Sequence, residues 1–389
     1  MILLKKIYLN NYIFSYNNIQ NLLSYLEHLY KNKFIFEKNI CNTYFNYNVN
    51  SYKIGQGKNH VILFGCTHGC EMITTYFIIE FIITLLKDDN LYNEYFNKYT
   101  FHFIPILNPE GYIISNSNVI ANTKNLSQDQ VEKLATDYLQ SYEQDDYIAL
   151  QGKKVDKKYK KVLKSSIINI PNFKIQHSIK KILKKCNLDE GVLPIWSANG
   201  LGIDLNSNSI HKFKEINKLR SIQKYANLRY NDIPVTKPSP ISYPGKCTFD
   251  KRVPENLGLY KYIKTIYSLK DKSDEKLIAI FSYHSTGGEI YGFPDLQYAN
   301  KQQIDIQNIG MNEYSKFTGY SLINEKPKYG VMDFYRIALD NVCSLTIELS
   351  KVNANPIGYL SNIPNFLNEI SDNKKAVIYS LNKISNFIS

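Results

Sequence analysis

Leu22, Leu23, Leu26 and Leu29 recur at three- and four-residue spacing, which predicts an amphipathic helix over residues 19–30. Polar, Asn-rich connectors surround it, so residues 1–50 read as an appendage rather than a site. From Tyr52 the rhythm changes. Val61, Ile62, Leu63 and Phe64 form a short apolar run ending in Gly65, the pattern of a strand buried on both faces. Residues 67–71 make a turn, and 72–86 read as a strongly apolar helix. Residues 99–107 read as a second interior strand, stopped by Asn108-Pro109-Glu110-Gly111, a strong turn signal.

Residues 117–190 are lysine-rich and lack a strand pattern, and only 178–186 is helix-like, so this stretch reads as an inserted subdomain or surface excursion. Order returns at 193–206. A proline-bearing loop over 232–254 contains the tight turn Tyr243-Pro244-Gly245. Residues 276–283 form an apolar strand ending on His284. Residues 343–349 are a β-type run carrying Glu348, and a last helix reaches about residue 384. Strand, loop, helix and strand in that order predict an α/β fold: a single domain, 51–389, with a twisted, mixed, mostly parallel sheet flanked by helices and ligands at the strand ends. There are no internal repeats.

A hydrophobic fraction of 44% over 389 residues excludes wholesale disorder. The net charge of +12 invites a nucleic-acid partner, but Lys rises together with Asn, Ile and Tyr, as in a composition set by A/T-rich codons. No RNP, zinc-finger or basic-helix motif accompanies the charge, so no nucleic acid is expected. Cysteines 41, 66, 70, 186, 247 and 343 include no CxxC pair, which suits reduced thiols better than a disulfide framework. Cys66 and Cys70 flank His68 and read as structural. The amino terminus has no proper apolar core or cleavage site for a signal peptide. The most apolar segment, 76–86, is broken by Glu80 and too short for a membrane span. A soluble, cytoplasmic protein is expected.

Candidate chemistry begins at His68-Gly69-Cys70-Glu71. A His and a Glu three apart, on a turn after a strand, can aim imidazole and carboxylate at one zinc ion, with a third ligand from elsewhere and an open position for water. Spacing alone is weak, since a loop His beside a solvated Glu has the same pattern. His284 closes an apolar strand and opens the small-residue turn Ser285-Thr286-Gly287-Gly288, where α/β sheets build sites. Glu348 lies among apolar neighbours and is costly to bury without a partner or task. It suits a general base, or equally an outward-facing Glu, because alternation puts it on the face of Ser344 and Thr346.

In order along the chain, His68-x-x-Glu71, Asn108-Pro-Glu-Gly111, Gly202-Ile-Asp-Leu-Asn206, Tyr283-His284-Ser285 and Thr346-Ile-Glu348 resemble the motifs of the zinc metallocarboxypeptidase (carboxypeptidase A-like) superfamily. Trp196-Ser-Ala-Asn199, Tyr243-Pro-Gly245, Glu289-Ile-Tyr291 and Met332-Asp-Phe334 resemble the bacterial γ-D-glutamyl-L-diamino-acid endopeptidase I group within it. The resemblance covers about residues 52–385. It implies one zinc ion held by His68, Glu71 and His284, with Glu348 as catalytic base and Asp204 orienting the first histidine. Substrate contacts are implied for Asn206, Ser207, Asp333 and Tyr329. The implied activity is hydrolysis of a γ-D-glutamyl-diamino-acid amide in peptidoglycan-derived muropeptides.

Two positions depart from the family pattern. Ser207 stands where relatives carry an arginine that grips the substrate's terminal carboxylate, and a hydroxyl cannot replace a guanidinium fork. Leu201 stands where many relatives carry an arginine that stabilises the oxyanion, a role open to Arg220, Arg229 or Arg252. A metallocarboxypeptidase of other specificity and a catalytically silent peptide-binding member of the fold therefore remain as alternatives.

Overall fold

The computed structural model describes residues 13–141, 162–208, 237–245, 253–294, 296, 299–324 and 330–388. Its elements run α1 (Tyr16–Leu29), β1 (Phe34–Asn42), β2 (Asn48–Ile54), β3 (Asn59–Phe64), α2 (Met72–Lys87), α3 (Asp89–Phe96), β4 (Tyr99–Ile104), α4 (Pro109–Thr123), α5 (Gln128–Ser141) and α6 (Phe173–Cys186). They continue with α7 (Pro254–Tyr267), β5 (Lys276–Ser285), β6 (Glu289–Tyr291), α8 (Lys301–Thr318), β7 (Ser321–Ile323), α9 (Val331–Ala338), β8 (Cys343–Leu349) and α10 (Ile363–Phe387).

The described strands make one eight-stranded sheet in the order β1-β2-β4-β3-β5-β8-β6-β7. The central strands β4, β3, β5 and β8 are all parallel, and antiparallel pairs join β1 to β2, β2 to β4 and β6 to β8. This is the mixed α/β sheet the sequence predicts. Both faces are covered, which is why β3 and β5 read as unbroken apolar runs. Leu63, Phe281 and Leu345 point into a large core under α1, α2, α4, α6, α8 and α10. Ile62, Phe64 and Ile280 point into a second core under α7 and α9.

Within the expected appendage, α1 buries Ile19, Leu23 and Leu26 in the larger core, and β1 and β2 extend the sheet beside β4. Half-exposed edge strands carry no clear alternation, so β1 is hidden in the sequence. Within the expected excursion, α4, α5 and α6 pack Ile114, Val131, Ala135, Ile175 and Ile179 on the same core. Asn108-Pro109-Glu110-Gly111 is a helix start rather than a turn. Asn108 caps α4 and Pro109 sits in its first turn, where its missing N–H is not needed. Residues 193–206 hold no strand; Glu190–Ile195 is a 3-10 helix followed by loop. Among the described residues no helix is long and apolar enough to cross a membrane.

Candidate active site

The carboxyl ends of β3, β5 and β8 lie side by side at the centre of the sheet, and the turn after β3 is clamped there. Asn108 donates through Nδ2 to the carbonyls of Thr67 and Ser197, both at 3.1 Å, while its Oδ1 accepts from Gly111 N. A Cβ on Gly69 would lie 2.2 Å from the Gly111 backbone, so only glycine fits between His68 and Cys70. Glu71 then stands at the N-terminus of α2, where the helix dipole favours a carboxylate.

His68, Glu71 and His284 converge. His68 Nδ1 is 2.7 Å from Glu71 Oε1, and His284 Nδ1 is 3.2 Å from Glu71 Oε2. One ligand atom from each lies within 4.8 Å of the others. The second imidazole nitrogen of His68 points away, to Asp204 Oδ1 at 3.3 Å. Asp204 is itself fixed by the N–H groups of Asn206, Ser207 and Ser242 and by the Ser207 hydroxyl. An acceptor at Nε2 sets the tautomer that leaves the Nδ1 lone pair facing Glu71 and His284.

The donor set suits a divalent cation. Burial alone would depress the His68 imidazole, but the Glu71 and Asp204 carboxylates outweigh it and push it up to about 10. Burial would likewise raise Glu71, yet the His68 and His284 rings hold it below the usual carboxylate range. Two buried carboxylates thus demand positive charge between them. Two imidazoles and a carboxylate are a donor set that matches zinc. The neighbouring thiols do not join. Burial and then Glu71 push Cys70 up to about 12 and raise Cys66 well above its ordinary value, so both stay protonated; Cys70 Sγ faces Ser197 Oγ at 3.5 Å.

Glu348 is the register partner of His284 across the parallel β5/β8 pair, which puts both side chains on one face of the sheet. It is partly exposed, whereas His284 is buried. On its other side Glu348 is paired with Glu289 of β6. The row His284, Glu348, Glu289 crosses three strands. Glu289 accepts from the Tyr291 hydroxyl at 2.6 Å and stays partly exposed. Glu289 stands in the Glu289-Ile-Tyr291 motif, but nothing in the sequence gives it a role; its place after the glycine turn, two residues from Tyr291, is the one signal it carries.

The other candidates are placed as follows. Asn206 Oδ1 accepts from Val331 N at 3.0 Å, tying its loop to α9. Ser207 is buried, with its hydroxyl on Asp204 rather than facing outward. Asp333 accepts from Gly330 N at 2.6 Å, capping α9, and pairs with Arg336. The Arg336 guanidinium, buried on the Glu348 face, also donates to Ser344 O, Tyr291 O and Thr346 Oγ1. Its three-residue spacing from Asp333 was the sequence signal for that pair. Leu201 donates its N–H to Asn199 Oδ1. Tyr329, Arg220, Arg229 and Arg252 lie outside the described residues.

Behind the site sits a second carboxylate pair. Glu110 accepts from the N–H groups of Phe45 and Gly200, and Glu255 accepts from Asn199 Nδ2 at 3.4 Å while its Oε2 is buried without a hydrogen bond. Burial and the Glu110 charge push Glu255 up to about 8, so Glu255 holds a proton at neutral pH. These groups hold the loop that carries Asp204.

A family model described as zinc carboxypeptidase matches residues 22–351. No curated protein sequence matches the chain. Among solved structures, bovine thrombin-activatable fibrinolysis inhibitor in complex with a tick carboxypeptidase inhibitor superposes with a TM-score of 0.56 at 14% identity, over 97% of this chain and 98% of that one. Carboxypeptidase A from Helicoverpa armigera gives 0.56 at 13% identity, covering 97% and 75%. A metallo-carboxypeptidase from Burkholderia cenocepacia gives 0.51 at 12%, covering 95% and 70%. At these identities the structures speak for the fold.

Proposed function

The chain belongs to the zinc carboxypeptidase family, whose members are zinc-dependent metallopeptidases, and on that premise we propose that it hydrolyses a γ-D-glutamyl-diamino-acid amide in peptidoglycan-derived peptides. The observation that carries the catalytic part is the meeting of His68, Glu71 and His284, with Glu348 in register beside His284. In this reading the three residues hold zinc, which supplies Lewis-acid polarisation of the scissile carbonyl and of water. Asp204 keeps His68 in the ligating tautomer. Glu348 takes the proton from the attacking water and delivers it to the leaving amine nitrogen.

Substrate choice follows from what lines the row. The Ser207 hydroxyl is turned onto Asp204 and the Arg336 guanidinium is engaged by Asp333 and backbone carbonyls, so neither side chain is placed to grip a free terminal carboxylate. That favours a substrate recognised by other means than its C-terminal carboxylate. Glu289, partly exposed beside Glu348, supplies a negative charge suited to the free ammonium of a diamino acid.

The test is digestion of muropeptides containing a γ-D-glutamyl-diamino-acid bond, with a Glu348→Gln control and metal analysis of both proteins. We expect cleavage at that bond and loss of about 10²–10⁴-fold in kcat in the control at unchanged zinc content. Release of C-terminal amino acids from ordinary peptides, with no muropeptide cleavage, would replace this specificity by another carboxypeptidase activity. Zinc without turnover on any peptide would make the chain a binder.

A further inference from the structure

Helix α6 carries a one-sided charge that the peptidase reading does not use. Its buried stripe is Ile175, Ile179, Ile182, Leu183 and Cys186. The opposite stripe exposes Lys174, Lys180, Lys181, Lys184 and Lys185, at helical spacing, and the helix contains no acidic residue. Lys237 adds a sixth exposed cation, with Nζ donating to Lys185 O at 2.8 Å.

Helix stability does not account for this stripe. Lys184 and Lys185 suit the negative end of the helix dipole, but Lys174 lies in the first turn, where a cation is disfavoured. The pairs 180/184 and 181/185 stand four apart and repel. Among the described residues none of the five helix lysines is in an ion pair.

A second observation lies at the same helix. Ile168 and Phe173, just before and at its start, are 84% and 78% exposed, the largest exposures among the exposed large apolar side chains described. A lysine stripe ending in bare apolar tips has the chemistry of a surface that meets anionic headgroups and inserts side chains between them. A nucleic-acid groove would use the lysines but would give Ile168 no apolar phase to enter.

We propose that the outer face of α6, with Ile168 and Phe173, is a peripheral docking surface for a bilayer rich in anionic lipid. The helix packs on the loop that carries Asp204, where Ser178 Oγ donates to Gly200 O at 2.7 Å, and on the segment whose Ser242 N–H binds Asp204, where Cys186 Sγ lies 3.3 Å from Pro238 O. A docked chain therefore holds that loop directly behind the contact surface.

The full chain is tested by co-sedimentation with phosphatidylcholine vesicles, with and without phosphatidylglycerol, at low and high salt. Each lysine at such a surface strengthens binding roughly fivefold, so the Lys180→Ala/Lys181→Ala/Lys184→Ala/Lys185→Ala variant should bind at least about tenfold more weakly. The Ile168→Ser/Phe173→Ser variant should lose binding that salt does not remove. Lys261→Ala/Lys264→Ala/Lys270→Ala/Lys272→Ala removes the same charge from α7 and the segment after it, and should bind anionic vesicles much as the parent does. Binding only to anionic vesicles, lost in the first two variants and kept in the third, supports the proposal. It is overturned by equal binding to both vesicles, by an equal loss in the α7 control, or by tighter binding to duplex DNA that the apolar-tip variant leaves unchanged.

Discussion

Asp204 shows how one side chain can govern the proposed centre without touching substrate. Both its oxygens are held by backbone N–H groups, and Oδ2 also by the Ser207 hydroxyl, which fixes the carboxylate with Oδ1 toward His68 Nε2. Asp204→Asn should lower zinc affinity about 10–100-fold, as removal of such an orienting partner does. Competition with a metal chelator measures it, and unchanged affinity would detach Asp204 from the metal site. Glu255 offers a pH readout in the same loop system. Its folded-state pKa is raised from 4.5 to about 8, so the native chain keeps a proton that the unfolded chain releases. That costs the fold stability as pH rises from about 4.5 to 8. Glu255→Gln removes this penalty, so unfolding should show the variant gaining on the parent by on the order of a few kcal/mol between pH 5 and 8. A constant difference across that range would contradict it. His68, Glu71, His284 and Glu348 stood out in the sequence because each lies in or beside an apolar run within a family-like motif, and the fold brings the first three together. Glu289 did not, since a three-residue strand is too short to show which way its first side chain points.

At the scale of elements, β3, α2, β5 and β8 were read within a residue or two, because strands buried on both faces and a helix buried almost all round leave long apolar runs. The start of α4 was misread because Asn, Pro and Gly serve turns and helix starts alike; only the packing of Ile113, Ile114 and Val119 on the core decides between them. The N-terminal elements were underestimated for a different reason. α1 is short and amphipathic, and its role appears only when Leu23, fully buried, meets the core that β3 and α2 build. Leu23→Ala should therefore destabilise the whole domain by about 2–5 kcal/mol in denaturant unfolding. Loss of α1 alone, with a separate early transition, would show that this segment is an appendage after all.

For the molecule as a whole, the fold brings residues from the turn after β3 and from the ends of β5 and β8 to one place by aligning parallel strands. Residues 68, 284 and 348 are far apart in the chain and adjacent only because β3, β5 and β8 are neighbours in that order. Membership in the zinc carboxypeptidase family fixes the reaction class, while the hydroxyl at Ser207 and the carboxylate at Glu289 shape the proposed choice of substrate. The central claim is that His68, Glu71 and His284 share one zinc ion. Anomalous diffraction at the zinc edge from crystals of the zinc-loaded protein tests it most directly. A single peak about 2.0–2.2 Å from His68 Nδ1, His284 Nδ1 and a Glu71 oxygen is predicted; a peak held by other side chains, or none at these three, would contradict it.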